Sequence, residues 1–253
     1  GKTSSVLTNK GWIVSFEYSQ EYEAGEPGVA MHRLLAQHKK HRWLLMRPSF
    51  KVIKWCMDRN LRIICLGGEE DDLRPPIISV SINRILSDAV TRLSKIGHRR
   101  ICALVNYSSD QSRENVIRSM KKALTSNGES FHPAYNLPKF KSNDMVALRS
   151  CLNDLFNYTP PSSLIVTDAQ HLITIYAYCM ENGLRIPHDL SVIVTLESEG
   201  IDWFYPQLAH YELPIQKFVE KLSQWIEHYP TKECEHVLLN AEFVAGGSIK
   251  SVS

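Results

Sequence analysis

Apolar residues in this chain fall into two alternating patterns. Short continuous runs rich in Ile, Leu and Val, such as Ile101–Val105 and Leu190–Val194, are separated by longer stretches in which apolar residues recur every three or four positions. A continuous apolar run flanked by helical periodicity is the pattern of a parallel strand covered on both faces. It predicts strands at Trp12–Tyr18, Arg42–Arg47, Arg62–Gly67, Ile77–Ser81, Ile101–Asn106, Leu164–Thr167, Leu190–Leu196, His210–Leu213 and Val237–Val244. Helices are predicted at Pro27–Lys40, Ser49–Asn60, Arg84–Ile96, Asp110–Asn127, Asn143–Tyr158, Ala169–Asn182 and Ile215–Tyr229. Within Arg84–Ile96, the residues Ile85, Ala89, Leu93 and Ile96 share one face.

Two seams sharpen this reading. In KIGHRRICALV (Lys95–Val105) and ENGLRIPHDLSVIV (Glu181–Val194), a helix ends at a glycine and a buried strand follows at once. Gly97 and Gly183 fall where a helix needs a left-handed residue just past its end, a conformation that glycine adopts without steric cost. Strands alternating with helices in this way give an α/β fold.

The wording of the seams resembles the effector-binding domain of the LacI/GalR family of bacterial transcription regulators. The matching segments are LSKIGHRRICALV, then GLRIPHDLSVIVTLES, then PQLAHYELP at Pro206–Pro214, and LLNAEFVAGGS at Leu238–Ser248. They occur in the family's order, and the resemblance runs from about Trp12 to the C-terminus. It implies two Rossmann-like lobes with parallel central sheets joined by three crossovers, the type I periplasmic-binding-protein-like architecture. The N-terminal lobe would hold residues 1–80 plus 214–239, and the C-terminal lobe residues 81–213 plus 240–253. It also implies that the DNA-reading domain, and the first strand and helix of lobe one, are not part of this chain.

Composition narrows the function. The net charge of +2 on 253 residues is too small for a surface that coats nucleic acid or anchors to an acidic membrane. Six cysteines are scattered with no CxxC pair, which fits a reduced, cytoplasmic compartment. No signal-peptide pattern opens the chain, and no apolar stretch is long enough to span a bilayer. Catalytic patterns are missing too: no HExxH, GxSxG, P-loop or GxGxxG occurs. The expectation is a protein that is not an enzyme and carries no cofactor or metal. GGEEDD at Gly67–Asp72 reads as a solvated loop. The basic residues of Arg113–Lys122 read as the exposed side of a helix, and His98 as a cationic cap on the preceding helix dipole.

Ligands in open α/β sheets gather at the carboxyl ends of strands. The candidate binding residues there are Arg47, Ser49, Ser81, Asn106, Asp168, His171 and Glu197, with Trp203 in a following loop. Several have an equally good structural reading: Ser49 as a helix N-cap, Asp168 as helix-start charge, Trp203 as surface packing. The resemblance implies a small polar effector, a sugar or another metabolite, held in an interlobe cleft. It implies also a homodimer, and DNA contact through the domain outside the chain. The alternatives are a periplasmic-type small-molecule (sugar) binding protein of a transporter or chemoreceptor, and an α/β enzyme acting in the interlobe cleft. Departures from the family pattern matter: Val116 stands where sugar-responsive members carry an arginine, and Ser119 at the following glycine. Ser81, Thr167 and Leu213 replace an acid, an asparagine and a glutamine. With fewer polar partners in the cleft, either the ligand is not a typical hexose, or sensing has degenerated and the domain serves mainly for dimerisation.

Overall fold

A computed structural model describes residues 7–9, 11–15, 28–37, 42–46, 48, 50–67, 75–107, 110–141, 143–196, 200–228 and 236–252. The chain divides into two units, Gly1–Val80 with Pro214–Asn240, and Ser81–Leu213 with Ala241–Ser253.

The first unit contains helices α1 (Gly28–Gln37) and α2 (Phe50–Met57) and strands β1 (Trp43–Met46), β2 (Ile63–Leu66) and β3 (Ile77–Val80). Side chains on successive strand residues point to opposite faces. Ile63, Cys65 and Ile77 therefore join Met31, Val52, Ile53 and Cys56 in one core cluster. Ile64, Leu66 and Ile78 join Leu222, Trp225 and Ile226 in another. Both faces are covered, which is why these strands read as continuous apolar runs.

One expected strand does not form as such. Among the described residues of Trp12–Tyr18, residues 12–15 carry no ladder. Trp12 and Val14 do pack on the second cluster while Ile13 is 97% exposed. Side chains thus alternate inward and outward over residues 12–14, but alternation fixes which side chains face inward and not whether a neighbour accepts the backbone. The rest of that segment, and most of Gly67–Asp72, lie outside the described residues.

In the second unit come α3 (Ile82–Lys95), β4 (Ile101–Leu104), α4 (Asp110–Ser126), the short α5 (Pro133–Asn136), α6 (Met145–Tyr158), β5 (Ser163–Val166), α7 (His171–Glu181), β6 (Ser191–Val194) and β7 (Ala209–Glu212). The chain then supplies α8 (Ile215–Glu227) and β8 (His236–Leu239) to the first unit and β9 (Glu242–Val244) to the second. The single strand expected at Val237–Val244 is thus two strands in two sheets, broken at Asn240–Ala241. The first sheet runs β1-β2-β3-β8, all parallel. The second runs β4-β5-β6-β7-β9, parallel except for antiparallel β9. One face of this second sheet, with Cys102, Leu104, Leu164, Val166, Val192 and Val194, packs on Leu148, Leu152, Leu172 and Ile175 of α6 and α7.

The glycine seams close as expected. Gly97 has φ +95° and Gly183 φ +68°. Past α3, the Gly97 amide donates to Ser94 O (3.1 Å) and the His98 amide to Leu93 O (3.0 Å). Past α7, Gly183 and Leu184 repeat the pattern onto Met180 O (3.4 Å) and Cys179 O (2.8 Å). Each pair satisfies carbonyls that a helix end leaves orphaned.

The residues after Gly97 then tie the unit together. Arg99 pairs with Glu129 (2.5 Å), and Arg100 Nε donates to Pro160 O (2.7 Å). His98 corrects an expectation. Its imidazole is buried, with Nδ1 2.9 Å from Ser162 Oγ and Nε2 3.0 Å from Lys250 O. Burial pushes its pKa below the ordinary histidine value, so the neutral ring, not a cation, is favoured. The backbone amide does the capping, while the side chain clamps the C-terminal tail.

Candidate functional site

The carboxyl ends of β4, β5 and β6 lie side by side, because these strands are parallel neighbours. Backbone pairing continues one residue beyond the strands: the Thr167 amide donates to Leu104 O (3.1 Å) and the Thr195 amide to Val166 O (3.0 Å). The Thr167 hydroxyl donates to Leu104 O and accepts from the Asn106 amide, both at 3.2 Å. Thr167, which stands at the family's asparagine position, is therefore a brace between the turns that present Asn106 and Asp168.

The expected site residues divide as follows. Asn106 is exposed at the end of β4. Asp168 is half-buried, and its Oδ1 accepts the Gln170 amide at 3.0 Å ahead of α7. His171 is buried in the first turn of α7, edge-on to Phe140 with centroids 5.3 Å apart. Ser81 opens the second unit as the N-cap of α3, its Oγ accepting the Arg84 amide at 3.3 Å. Trp203 closes a short 3₁₀ turn (Ile201–Trp203) and is 92% exposed. Asn106, Asp168 and His171 share the carboxyl edge of one sheet. Arg47, Ser49 and Glu197 lie outside the described residues.

Three groups at this edge were not singled out by the sequence. The Tyr107 hydroxyl is buried without a partner among the described residues, and burial pushes its pKa up to about 12. Thr195, fully buried past the end of β6, has an unpartnered Oγ1. Arg113, in the first turns of α4, is half-buried, with Nε closed from solvent and unpartnered. It corrects the expectation that the basic residues of this helix face outward. Arg118, Lys121 and Lys122 are exposed, whereas Arg113 stands three residues before buried Val116 and so on the same helix face. That spacing was readable in the sequence. Val116 itself is core, and Ser119 uses its hydroxyl to bind Asn83 O and Ser87 Oγ of α3, both at 2.9 Å.

A concavity of about 510 Å³ lies between α5 and α6, lined by Tyr135, Phe140, Cys151, Leu155 and Tyr158 among others. Among the described residues no group of three His, Cys, Asp or Glu could hold a metal. No described helix is long and apolar enough to cross a membrane.

Sequence comparison matches residues 90–249 to a family described as the periplasmic binding protein-like domain. The chain belongs to that family. No curated protein sequence matches the chain. Solved structures similar to this periplasmic binding protein-like chain include a LacI-family regulatory protein from Chloroflexus aggregans (TM-score 0.77, 18% identity, covering 98% of this chain and 91% of that one). They include also the transcription regulator CcpA of Lactococcus lactis (TM-score 0.80, 13% identity, 98% and 92% covered). A third is a LacI-family regulator from Enterococcus faecium with bound ribose (TM-score 0.76, 16% identity, 99% and 92% covered). At these identities the likeness establishes a shared fold: α/β, with parallel sheets, as in the effector domains of LacI-family regulators.

Proposed function

We propose that this chain is the effector-sensing region of a LacI/GalR-type transcription regulator and that it binds a small polar molecule at the carboxyl ends of its parallel strands. The observation that carries the reading is the row of polar side chains across β4, β5 and β6 in a member of the periplasmic binding protein-like family. Asn106, Asp168 and His171 are the proposed contacts on this sheet, with Ser81, Arg47, Ser49, Glu197 and Trp203 completing the set. Occupancy would bias the protein between states of different operator affinity, the operator being contacted through a domain outside this chain. The reading involves no turnover, and it puts the protein in the cytoplasm.

A homodimer is part of the same reading. Ile173 (72% exposed) and Met180 (80%) lie seven residues apart on one face of α7. Tyr176, between them, packs on Phe204 with ring centroids 5.0 Å apart, which brings exposed Trp203 and Tyr205 alongside. Exposed apolar side chains on one helix face suit a self-complementary contact about a two-fold axis.

The test of the site is Asp168→Asn. Loss of effector response in the full-length regulator with little change in melting supports the reading. A fall in thermal stability with response unchanged would mean that Asp168 only caps α7, a role worth about 1 kcal/mol. The dimer is tested by sedimentation of Met180→Glu: a shift towards monomer is expected, and an unchanged sedimentation coefficient refutes that surface.

A further inference from the structure

Arg113 occupies a position that packing alone does not explain. The inward stripe of α4 is Arg113, Val116, Met120, Ala123 and Leu124, of which the last four are buried core. Arg113 heads that stripe, and helix side chains lean towards the N-terminus. Its guanidinium carbon accordingly lies 5.9 Å from the centroid of the Tyr107 ring, in the turn after β4. Nε reaches neither solvent nor an acceptor, and no described carboxylate pairs with the side chain. Leaving a guanidinium nitrogen desolvated and unpaired is costly, and an incoming acceptor relieves the cost.

The surroundings favour one kind of acceptor. The Tyr107 hydroxyl, buried and unpartnered on the ring beside the guanidinium, can donate a hydrogen bond. Asp168, the acid at the end of β5, has one carboxylate oxygen engaged by the Gln170 amide. Resting on the effector-site reading above, we infer that the ligand at this edge carries an anionic group, a carboxylate or a phosphate. Arg113 supplies the counter-charge, and the Tyr107 hydroxyl donates to one of the anion's oxygens. An uncharged sugar leaves the guanidinium without a counter-charge.

The test is calorimetric titration of the 253-residue chain with matched probes: ribose 5-phosphate against ribose, glucose 6-phosphate against glucose, galacturonate against galactose, and inorganic phosphate. At least one charged member is expected to bind roughly tenfold or more tighter than its neutral partner. The sugar phosphates and the uronate separate phosphate from carboxylate recognition. Arg113→Gln should weaken that binding by a similar factor, and Arg113→Lys, which keeps the charge, should retain part of it. Melting temperatures of both variants confirm that they fold. A neutral sugar that binds as tightly as its charged partner, is lost in Asp168→Asn and is untouched by Arg113→Gln removes the anion assignment and leaves the effector site standing. Charged-ligand binding that survives both substitutions overturns both readings. Failure of every charged probe to bind overturns the anion assignment.

Discussion

The two glycine seams allow a controlled test of how the C-terminal tail is held. Gly97→Ala and Gly183→Ala place the same methyl group in the same left-handed turn, at φ +95° and +68°. Strain from the left-handed backbone costs about 1–2 kcal/mol in either case. At Gly183 a Cβ meets nothing within 4 Å, so the cost ends there. At Gly97 it would lie 2.3 Å from Val252 O, against ordinary contact at 3.4 Å and beyond. The tail must therefore retreat by about 1 Å, a shift that breaks two hydrogen bonds worth about 1 kcal/mol each. These are Val252 N to Ile96 O (2.8 Å) and His98 Nε2 to Lys250 O (3.0 Å). The expected total is about 3–4 kcal/mol for Gly97→Ala against about 1–2 for Gly183→Ala. Urea denaturation followed by circular dichroism measures both. The decisive arm repeats the measurement in a chain ending at Ile249. With Lys250–Ser253 removed, the excess cost at Gly97 should vanish, because the atom it collides with is gone. Equal costs in the full chain, or an excess that persists after truncation, would refute the reasoning.

The remaining predictions concern titration, a buried hydroxyl and the thiols. Burial depresses the His98 pKa in the fold, while an unfolded histidine titrates near 6.5, so the unfolded chain binds more protons between those two values. Stability should therefore fall as pH drops through about 6.5 and the loss should level off below the folded value. Unfolding free energies at pH 7.5 and 5.5 should differ less in His98→Gln than in the parent, and an unchanged difference contradicts this. Tyr211 is buried and its hydroxyl donates to Asp88 Oδ2 at 2.6 Å; burial, then the carboxylate, raises its pKa. Tyr211→Phe should cost about 1 kcal/mol, discounted because Asp88 is half-exposed and water can replace the donor. A double-mutant cycle with Asp88→Asn that shows no coupling would contradict that contact. Burial pushes the thiol pKa of Cys56, Cys151 and Cys179 up to about 11 and that of Cys65 to about 12. Peptide mapping after thiol labelling at pH 8 should find these four unmodified until the chain unfolds, and rapid labelling of any of them counts against its burial.

The sequence by itself determined the elements and their class. Strand runs such as Ile101–Leu104 and residues 192–194 are legible because parallel strands covered on both faces are rich in apolar residues. Gly97 and Gly183 are legible because only glycine takes the left-handed turn without strain. Tertiary structure decided what depends on residues distant in the chain. His98 looks like a helix-end cation in local sequence, and only Ser162 and Lys250, 64 and 152 positions away, make it a buried neutral clamp. Val237–Val244 reads as one strand because periodicity carries no information about which sheet accepts each half. The candidate site shows the same division. Asn106 and Asp168 could be placed at strand ends from the pattern, since ligand-facing positions follow directly from the order of elements. The unpaired state of Arg113, Tyr107 and Thr195 could not, because a missing partner is a property of the packed neighbourhood. Local sequence sets which way a side chain points, whereas desolvation and pairing, which set its chemistry, are supplied by the rest of the fold.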